Sequence, residues 1–296
     1  MTPGFQIIER EIVADLKNKL DKAGIFYRIF SRVKEKSSIE EKLLRKGDYS
    51  EEKKMQDIIG VRIVTYFHDD VSIIYNFLKK SGYFENEQID TPALDVFKPK
   101  RTNLVFKLKP DLVEIFEQCY IDFNESYFGY LDTTYEIQLR TILSEGWHEI
   151  DHNLRYKCQA NWIELNDEER LFNGIYASLE TSDHTLQKMF DDIAYSHYKN
   201  NHIENMIRTK FRLKFGQETL NKDLAIILKN KSFFKSVFRL EREHVVNSLL
   251  NQFSSFPLNI NSLLFFINFY WLKDKKITSL TPSPLIDDFK EYRLKL

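Results

Sequence analysis

The chain has 296 residues and a mass of 35.4 kDa, with 43% hydrophobic and 29% charged residues. That is the balance of a folded globular protein with a sizeable core, and it excludes intrinsic disorder. Nine glycines and seven prolines exclude collagen-like sequence, two cysteines (Cys119 and Cys158) exclude a disulfide framework or a four-thiolate zinc site, and the net charge of −1 conceals a basic last third in which residues 201–296 carry 16 Lys and Arg against 9 Asp and Glu.

Apolar residues at Ile8, Ile12, Val13, Leu16 and Leu20 recur at helical spacing and predict an amphipathic helix over 5–22, stopped by Gly24. Its acidic residues interrupt the apolar run that a secretory signal needs. A β-rich run over 25–33 follows, and Ser38-Ile39-Glu40-Glu41 has the capping-box pattern that opens a helix through 46. Beyond a polar linker over 47–54, the β-branched run IIGVRIVTYF over 58–67 predicts a buried strand. Asp70 is expected to cap a helix to residue 80 that Gly82 ends, with His68-Asp69 as a solvent-side turn before it. Strands are expected over 103–108, near 119–123 and over 133–140. Helices are expected over 141–157 and, behind an Asn166…Glu169 capping box, over 168–198.

Strands and helices interleave to about residue 200, which predicts one α/β (α+β) unit over 1–200, a mixed sheet flanked by helices. Residues 201–296 read as a basic, mostly helical C-terminal extension, with the aromatic run 265–271 as the core of a small helical unit and Thr281-Pro-Ser-Pro284 as a turn before a short tail. The most apolar stretch, 263–272, is broken by Asn268 and falls short of the ~20 residues of a membrane span. The expectation is a cytoplasmic protein with no membrane partner.

Three clusters carry chemistry. Arg32 and Lys34 alternate on one face of a strand end, and Ser38 and Lys42 lie one turn apart at the start of the next helix. Cations, a hydroxyl and a helix N-terminus converging in this way suit a polyphosphate, although a surface helix with scattered lysines has the same composition. Asp57 and Arg62 flank a strand whose other residues are core formers. In the run 135–140, alternation puts Glu136, Gln138 and Arg140 on one face and Tyr135, Ile137 and Leu139 on the other. Three adjacent polar side chains on an otherwise apolar sheet are costly unless they bind something. Asp57 and Glu136, if brought together, would make a two-carboxylate Mg²⁺ site of the kind that handles nucleotide phosphates.

These clusters, written RxKxxxSxxxK, DIxGxR and EIQxRT and followed by Trp147, Asp151-His152 and Tyr156-Lys157, resemble the synthetase domain of the RelA/SpoT family, which includes the small alarmone synthetases, over roughly residues 20–200. The resemblance implies a nucleotidyltransferase-like fold and transfer of the β,γ-pyrophosphate of ATP to the ribose 3′-hydroxyl of an acceptor, with Mg²⁺ as cofactor. It further implies that Arg32 and Arg62 sandwich the adenine and that Lys34, Ser38 and Lys42 hold the phosphates. Asp57 would coordinate Mg²⁺, with Glu136 as second ligand or as the base for the attacking hydroxyl, and Gln138 and Arg140 would order the strand and contact nucleotide.

Members that use guanosine acceptors carry GYxSxH just before the strand that begins here at Asn103. Residues 97–106 instead read FKPKRTNLVF, with Pro99 where the tyrosine and Asn103 where the histidine would stand. The acceptor therefore stays open between GDP or GTP, the default, and the 3′-CCA end of tRNA, which toxic members of the family use. Lys98, Lys100, Arg101 and the basic last third suit an RNA acceptor, and a toxic member would bring an antitoxin protein as partner. A third reading makes the chain an inactive ATP-binding interaction module. His148-Glu149-Ile150-Asp151-His152 also matches the zinc-protease pattern HExxH. A charged Asp151 between the ligands is unfavourable there, no third ligand follows closely, and the synthetase resemblance accounts for the same residues.

Overall fold

In a computed structural model, which describes residues 3–46, 49–50, 53–90, 101–119, 128–252 and 256–293, the chain forms two compact units. The first comprises Met1–Lys17, Tyr27–Tyr66 and Ile74–Asp183, and the second comprises Asn18–Phe26, Phe67–Ile73 and His184–Leu296.

The first unit is built on a five-stranded mixed sheet of β1 (Tyr27–Val33), β2 (Ile59–Thr65), β3 (Phe84–Ile89), β4 (Thr102–Lys107) and β5 (Thr134–Thr141), ordered β1-β2-β5-β4-β3. The central pair β2–β5 is parallel, with Gly60 opposite Glu136 and Arg62 opposite Gln138, and the remaining pairs are antiparallel. β2 and β5 sort their side chains as period-2 alternation requires: Ile59, Val61, Ile63, Ile137 and Leu139 are buried, whereas Gly60, Arg62, Glu136, Gln138 and Arg140 are half-buried. A parallel pair at the centre of a sheet is normally apolar on both faces. The polar row is therefore the exception that marks a site.

The expected first helix is α1 (Pro3–Lys22), with Ile8, Ile12, Leu16 and Leu20 all buried. α2 (Lys36–Lys46) starts two residues before Ser38, so Ser38 lies inside its first turn and is not the cap that Ser38-x-x-Glu41 suggested. α3 spans His68–Lys79, α4 Pro110–Gln118 and α5 Ile142–Ile150. The strand expected near 119–123 is not found at Cys119, which caps the C-terminus of α4; residues 120–123 lie outside the described residues. α4 was legible as Pro110 at a helix start with Leu112 and Phe116 one turn apart, both of them buried. β3, with the sequence FENEQI, is an exposed edge strand and carries no hydrophobic signal. The helix expected over 141–157 divides into α5, capped by Thr141, and a π-helical turn Asp151–Tyr156.

The second unit contains α7 (Ile203–Phe211), α8 (Lys222–Leu228), α9 (Lys231–Arg239), α10 (Arg242–Leu250), α11 (Ile260–Ile267), α12 (Lys275–Leu280) and α13 (Ser283–Arg293), and α6 (Asn166–Lys199) contributes its C-terminal half from His184. The aromatic run is core as expected: Phe266 and Phe289 are fully buried, with their rings 5.5 Å apart. The segment expected to be a tail is the helix α13, because Pro284 sits in its first turn, where no backbone N–H is needed. Gly24 has φ +66°, and a Cβ there would run into Leu258, so only glycine turns the chain at this point.

The sequence expectation for His68 to Asp70 is overturned. α3 begins at His68, and Asp69 and Asp70 occupy its first turn instead of a solvent-side turn and a cap. Asp70 is 0% exposed and pairs with Arg242 at 2.7 Å, while Asp69 takes Arg242 at 2.9 Å and Arg212 at 2.5 Å. Arg212 is itself buried, in a left-handed C-cap conformation, and also pairs with Asp191. Among the described residues no helix is long and apolar enough to cross a membrane.

Candidate active site

A pocket of about 450 Å³ opens over the polar row of the sheet, lined by Phe30 and Arg32 from β1, Asp57, Gly60 and Arg62 from β2 and its approach, and Glu136 and Gln138 from β5, with Glu145 and Glu149 from α5. Cross-strand register brings these residues together: Arg32, Gly60 and Glu136 form one row, and Phe30, Arg62 and Gln138 form the next. Gly60 leaves the floor open between an arginine and a glutamate. The nearest atom to a Cβ built there is the Arg32 Cγ, 3.9 Å away.

Asp57 immediately precedes β2 and receives both cations from the first cluster, Lys34 Nζ at 2.6 Å and Lys42 Nζ at 2.7 Å, on the same carboxylate oxygen. Burial opposes the charge on Asp57, but the two ammonium groups outweigh it and hold its carboxyl below the usual carboxylate range. Burial likewise depresses Lys34, while for Lys42 the hydrogen bond and charge of Asp57 outweigh burial and raise it. Asp57 is thus an ionised oxygen donor at neutral pH.

On β5, Gln138 orders its neighbours. Its Nε2 donates to Glu136 at 3.1 Å, and its Oε1 accepts from Arg62 Nε at 3.3 Å and Arg140 Nη2 at 3.4 Å. Arg62 Nη1 also donates to Glu145 at 2.6 Å and to Glu149, and Arg140 Nη1 pairs with Glu145 at 3.0 Å. Burial and then the neighbouring Arg62 depress Arg140, whereas the two glutamates overcome burial and raise Arg62.

Of the residues singled out in the sequence, Arg32, Asp57, Arg62, Glu136 and Gln138 line the pocket, and Lys34, Lys42 and Arg140 contact lining residues. Ser38 is exposed on α2, one turn from Lys42, and does not line the pocket. Arg101 pairs with Asp90 at 2.7 Å and is close enough to Glu136 to feel its charge. Lys98 and Lys100 lie outside the described residues. Sequence reasoning passed over Phe30, Gly60, Glu145 and Glu149. Gly60 was visible within DIxGxR and Glu149 stood inside a pattern read for metal, whereas Glu145 belonged to no motif.

That HExxH pattern is dispersed by the fold. His148 is buried between Trp147 and Tyr176, Glu149 serves Arg62, and His152 stacks on Tyr156. Among the described residues no three His, Cys, Asp or Glu side chains converge as a metal site. Burial, followed by the charges of Arg140, Arg62 and Arg101, pushes His148 down to about 3 from 6.5. An unfolded chain takes up this proton as pH falls below 6.5 and the folded chain does not, so the contribution of His148 to stability is complete above that pH and is lost towards pH 3. Stability in urea is expected to fall there by on the order of 1 kcal/mol per pH unit. His148→Gln should flatten that part of the slope, and equal slopes for the two proteins would exclude His148 as its source.

Comparison with known proteins bears on the same segment. The family model described as the region found in RelA and SpoT proteins matches residues 31–161. The GTP pyrophosphokinase YjbM of Bacillus subtilis (strain 168) is 29% identical over 169 residues, 53% of this chain and 74% of that protein. The GTP pyrophosphokinase YwaC of the same organism is 30% identical over 135 residues, 43% of this chain and 57% of that protein. Among solved structures, the small alarmone synthetase 1 from Bacillus subtilis bound to its product pppGpp matches with a TM-score of 0.44 and 25% identity, covering 62% of this chain and 94% of that one. A GTP pyrophosphokinase family protein from Streptococcus pneumoniae matches with a TM-score of 0.45 and 22% identity, covering 64% and 91%.

Proposed function

The chain carries a RelA/SpoT-type synthetase domain over residues 31–161, and from that premise we propose that it is a nucleotide pyrophosphokinase that transfers the β,γ-pyrophosphate of ATP to the 3′-hydroxyl of a guanosine nucleotide. The observation that carries this reading is one pocket in which Asp57, bound by Lys34 and Lys42, faces the same space as Glu136, Arg32 and Arg62.

Phosphoryl-type transfer needs little covalent help from protein groups; it is driven by positioning and by neutralisation of charge. Lys34 and Lys42 supply cations at the pocket wall, where a triphosphate can share them with Asp57. Arg32 and Arg62 offer planar guanidinium faces for the donor base. Glu136, held by Gln138, is placed to accept the proton of the attacking hydroxyl or to act as an oxygen ligand. Asp57 and Glu136 fit Mg²⁺, which is held by one or two carboxylates together with substrate phosphates. When bound, Mg²⁺ would supply charge neutralisation at the phosphates.

A tRNA 3′-end as acceptor is the second reading. It is favoured by the sequence at 97–103, where Pro99 and Asn103 replace the tyrosine and histidine of GYxSxH, and by the basic residues 201–296. That reading would add an antitoxin protein as partner. Purified protein with Mg²⁺ and γ-labelled ATP, offered GDP, GTP, ATP and bulk tRNA separately, is expected to label the guanosine nucleotide. Label on tRNA alone would replace that acceptor, and ATP binding without any AMP formation would reduce the chain to a binding module.

A further inference from the structure

α5 presents two glutamates, Glu145 and Glu149, one turn apart on a single face. Like charges at this spacing repel and weaken a helix unless a shared cation compensates them. Here that cation is Arg62, whose Nη1 donates to both carboxylates. The N–H bonds of a guanidinium lie in its plane. Partners at Nε (Gln138) and Nη1 (Glu145 and Glu149) therefore grip its rim at these two nitrogens and leave its two faces uncovered by these contacts, and Arg62 lines the pocket.

The two glutamates are not equivalent. Glu145 is largely buried and divided between Arg62 and Arg140, so it balances two arginines and belongs to the fold of the site. Glu149 is half exposed, and its closest polar contact is Arg62. That hydrogen bond draws Glu149 below the usual carboxylate range. A surface carboxylate at the mouth of a site for a polyanion is electrostatically unfavourable to that ligand, which calls for a compensating role.

We propose that Glu149 is a positioning residue that holds the Arg62 guanidinium by its rim, so that a face is presented to the heterocycle of the donor nucleotide. The inference rests on the donor-site reading of the pocket and extends it to a group outside the motifs. In it Glu149 touches no phosphate, and its effect is confined to ligands that carry a base.

The sign of the effect separates this role from simple electrostatics. Removing a negative charge near the pocket should tighten every polyanion alike. Loss of a guanidinium clamp should weaken a nucleotide and leave inorganic tripolyphosphate unaffected. For Glu149→Gln, affinity for a non-hydrolysable ATP analogue, measured by calorimetry, is expected to fall about tenfold, the scale of one charge-assisted hydrogen bond. Tripolyphosphate affinity should be unchanged or tighter, with KM for ATP rising and kcat moving less than twofold. Glu149→Asp, which keeps the charge on a shorter arm, should recover part of the loss. Unchanged or tighter binding of the analogue by Glu149→Gln, or an equal loss for tripolyphosphate, would overturn the assignment. A wild-type protein that binds the analogue no better than tripolyphosphate would instead overturn the donor-base reading beneath it.

Discussion

Asp57→Asn is expected to abolish AMP formation from ATP, lowering turnover by about three orders of magnitude. The side chain serves two purposes in the structure. It is the common counter-ion of Lys34 and Lys42, and it faces the pocket as an ionised carboxylate. An asparagine keeps the shape but removes the charge, so it can neither hold a hard cation nor keep the two ammonium groups at one point. Glu136→Ala should produce a comparable loss through the other side of the pocket, and the double variant should be no worse than the single ones, as expected for groups that act as a unit. The checks are AMP release under saturating ATP and circular dichroism to show that the sheet is intact. Turnover in the double variant within about tenfold of the wild type would remove both residues from the proposed chemistry.

Arg242→Met is expected to destabilise the second unit by about 3–5 kcal/mol, because it strands a buried carboxylate. Asp70 is fully buried and Arg242 nearly so, and the pair is closed at 2.7 Å, with Arg242 also donating to the Phe211 carbonyl at 2.7 Å. Burial raises the Asp70 pKa above the ordinary carboxylate value even with Arg242 alongside, the mark of a site where the unpaired charge is costly. Asp69 retains Arg212 at 2.5 Å, so the damage should centre on Asp70. Replacing both members with apolar groups, as in Asp70→Leu with Arg242→Met, should therefore recover much of the loss. Urea denaturation of Arg242→Met and of the double variant tests this. A single variant as stable as the wild type would mean that the pair does not form as described.

These two sites differ in how far the sequence foretold them. The pocket was foreshadowed in part: the alternation of Glu136, Gln138 and Arg140 survives in the burial pattern of β5, and Lys34, Lys42 and Asp57 do meet, whereas Phe30 and Glu145 carried no signal and Ser38 stays outside. Asp69 and Asp70 were misread because local rules value an acid before a helix as a cap, and the arginine partners of Asp69 lie 143 and 173 residues away in sequence, the farther of them shared with Asp70. Ser38 was misread for the same reason. Its capping pattern is real, but α2 starts one half-turn earlier and leaves the hydroxyl in solvent.

The sequence by itself determined the alternating strands, the amphipathic α1, the helical character of the last third and the three polar clusters, because the periods of 2 and 3.6 residues follow from backbone geometry and need no tertiary partner. Only the tertiary structure decided which cations meet which carboxylates. Arg62 and Glu149 stand 87 residues apart, and whether they touch depends on the parallel register of β2 with β5 and on the direction in which α5 leaves that strand. A hydrogen-bonded ion pair forms only when donor and acceptor come within about 3 Å. Residue types can announce that a polar pocket exists, but the folded register alone assigns its contacts.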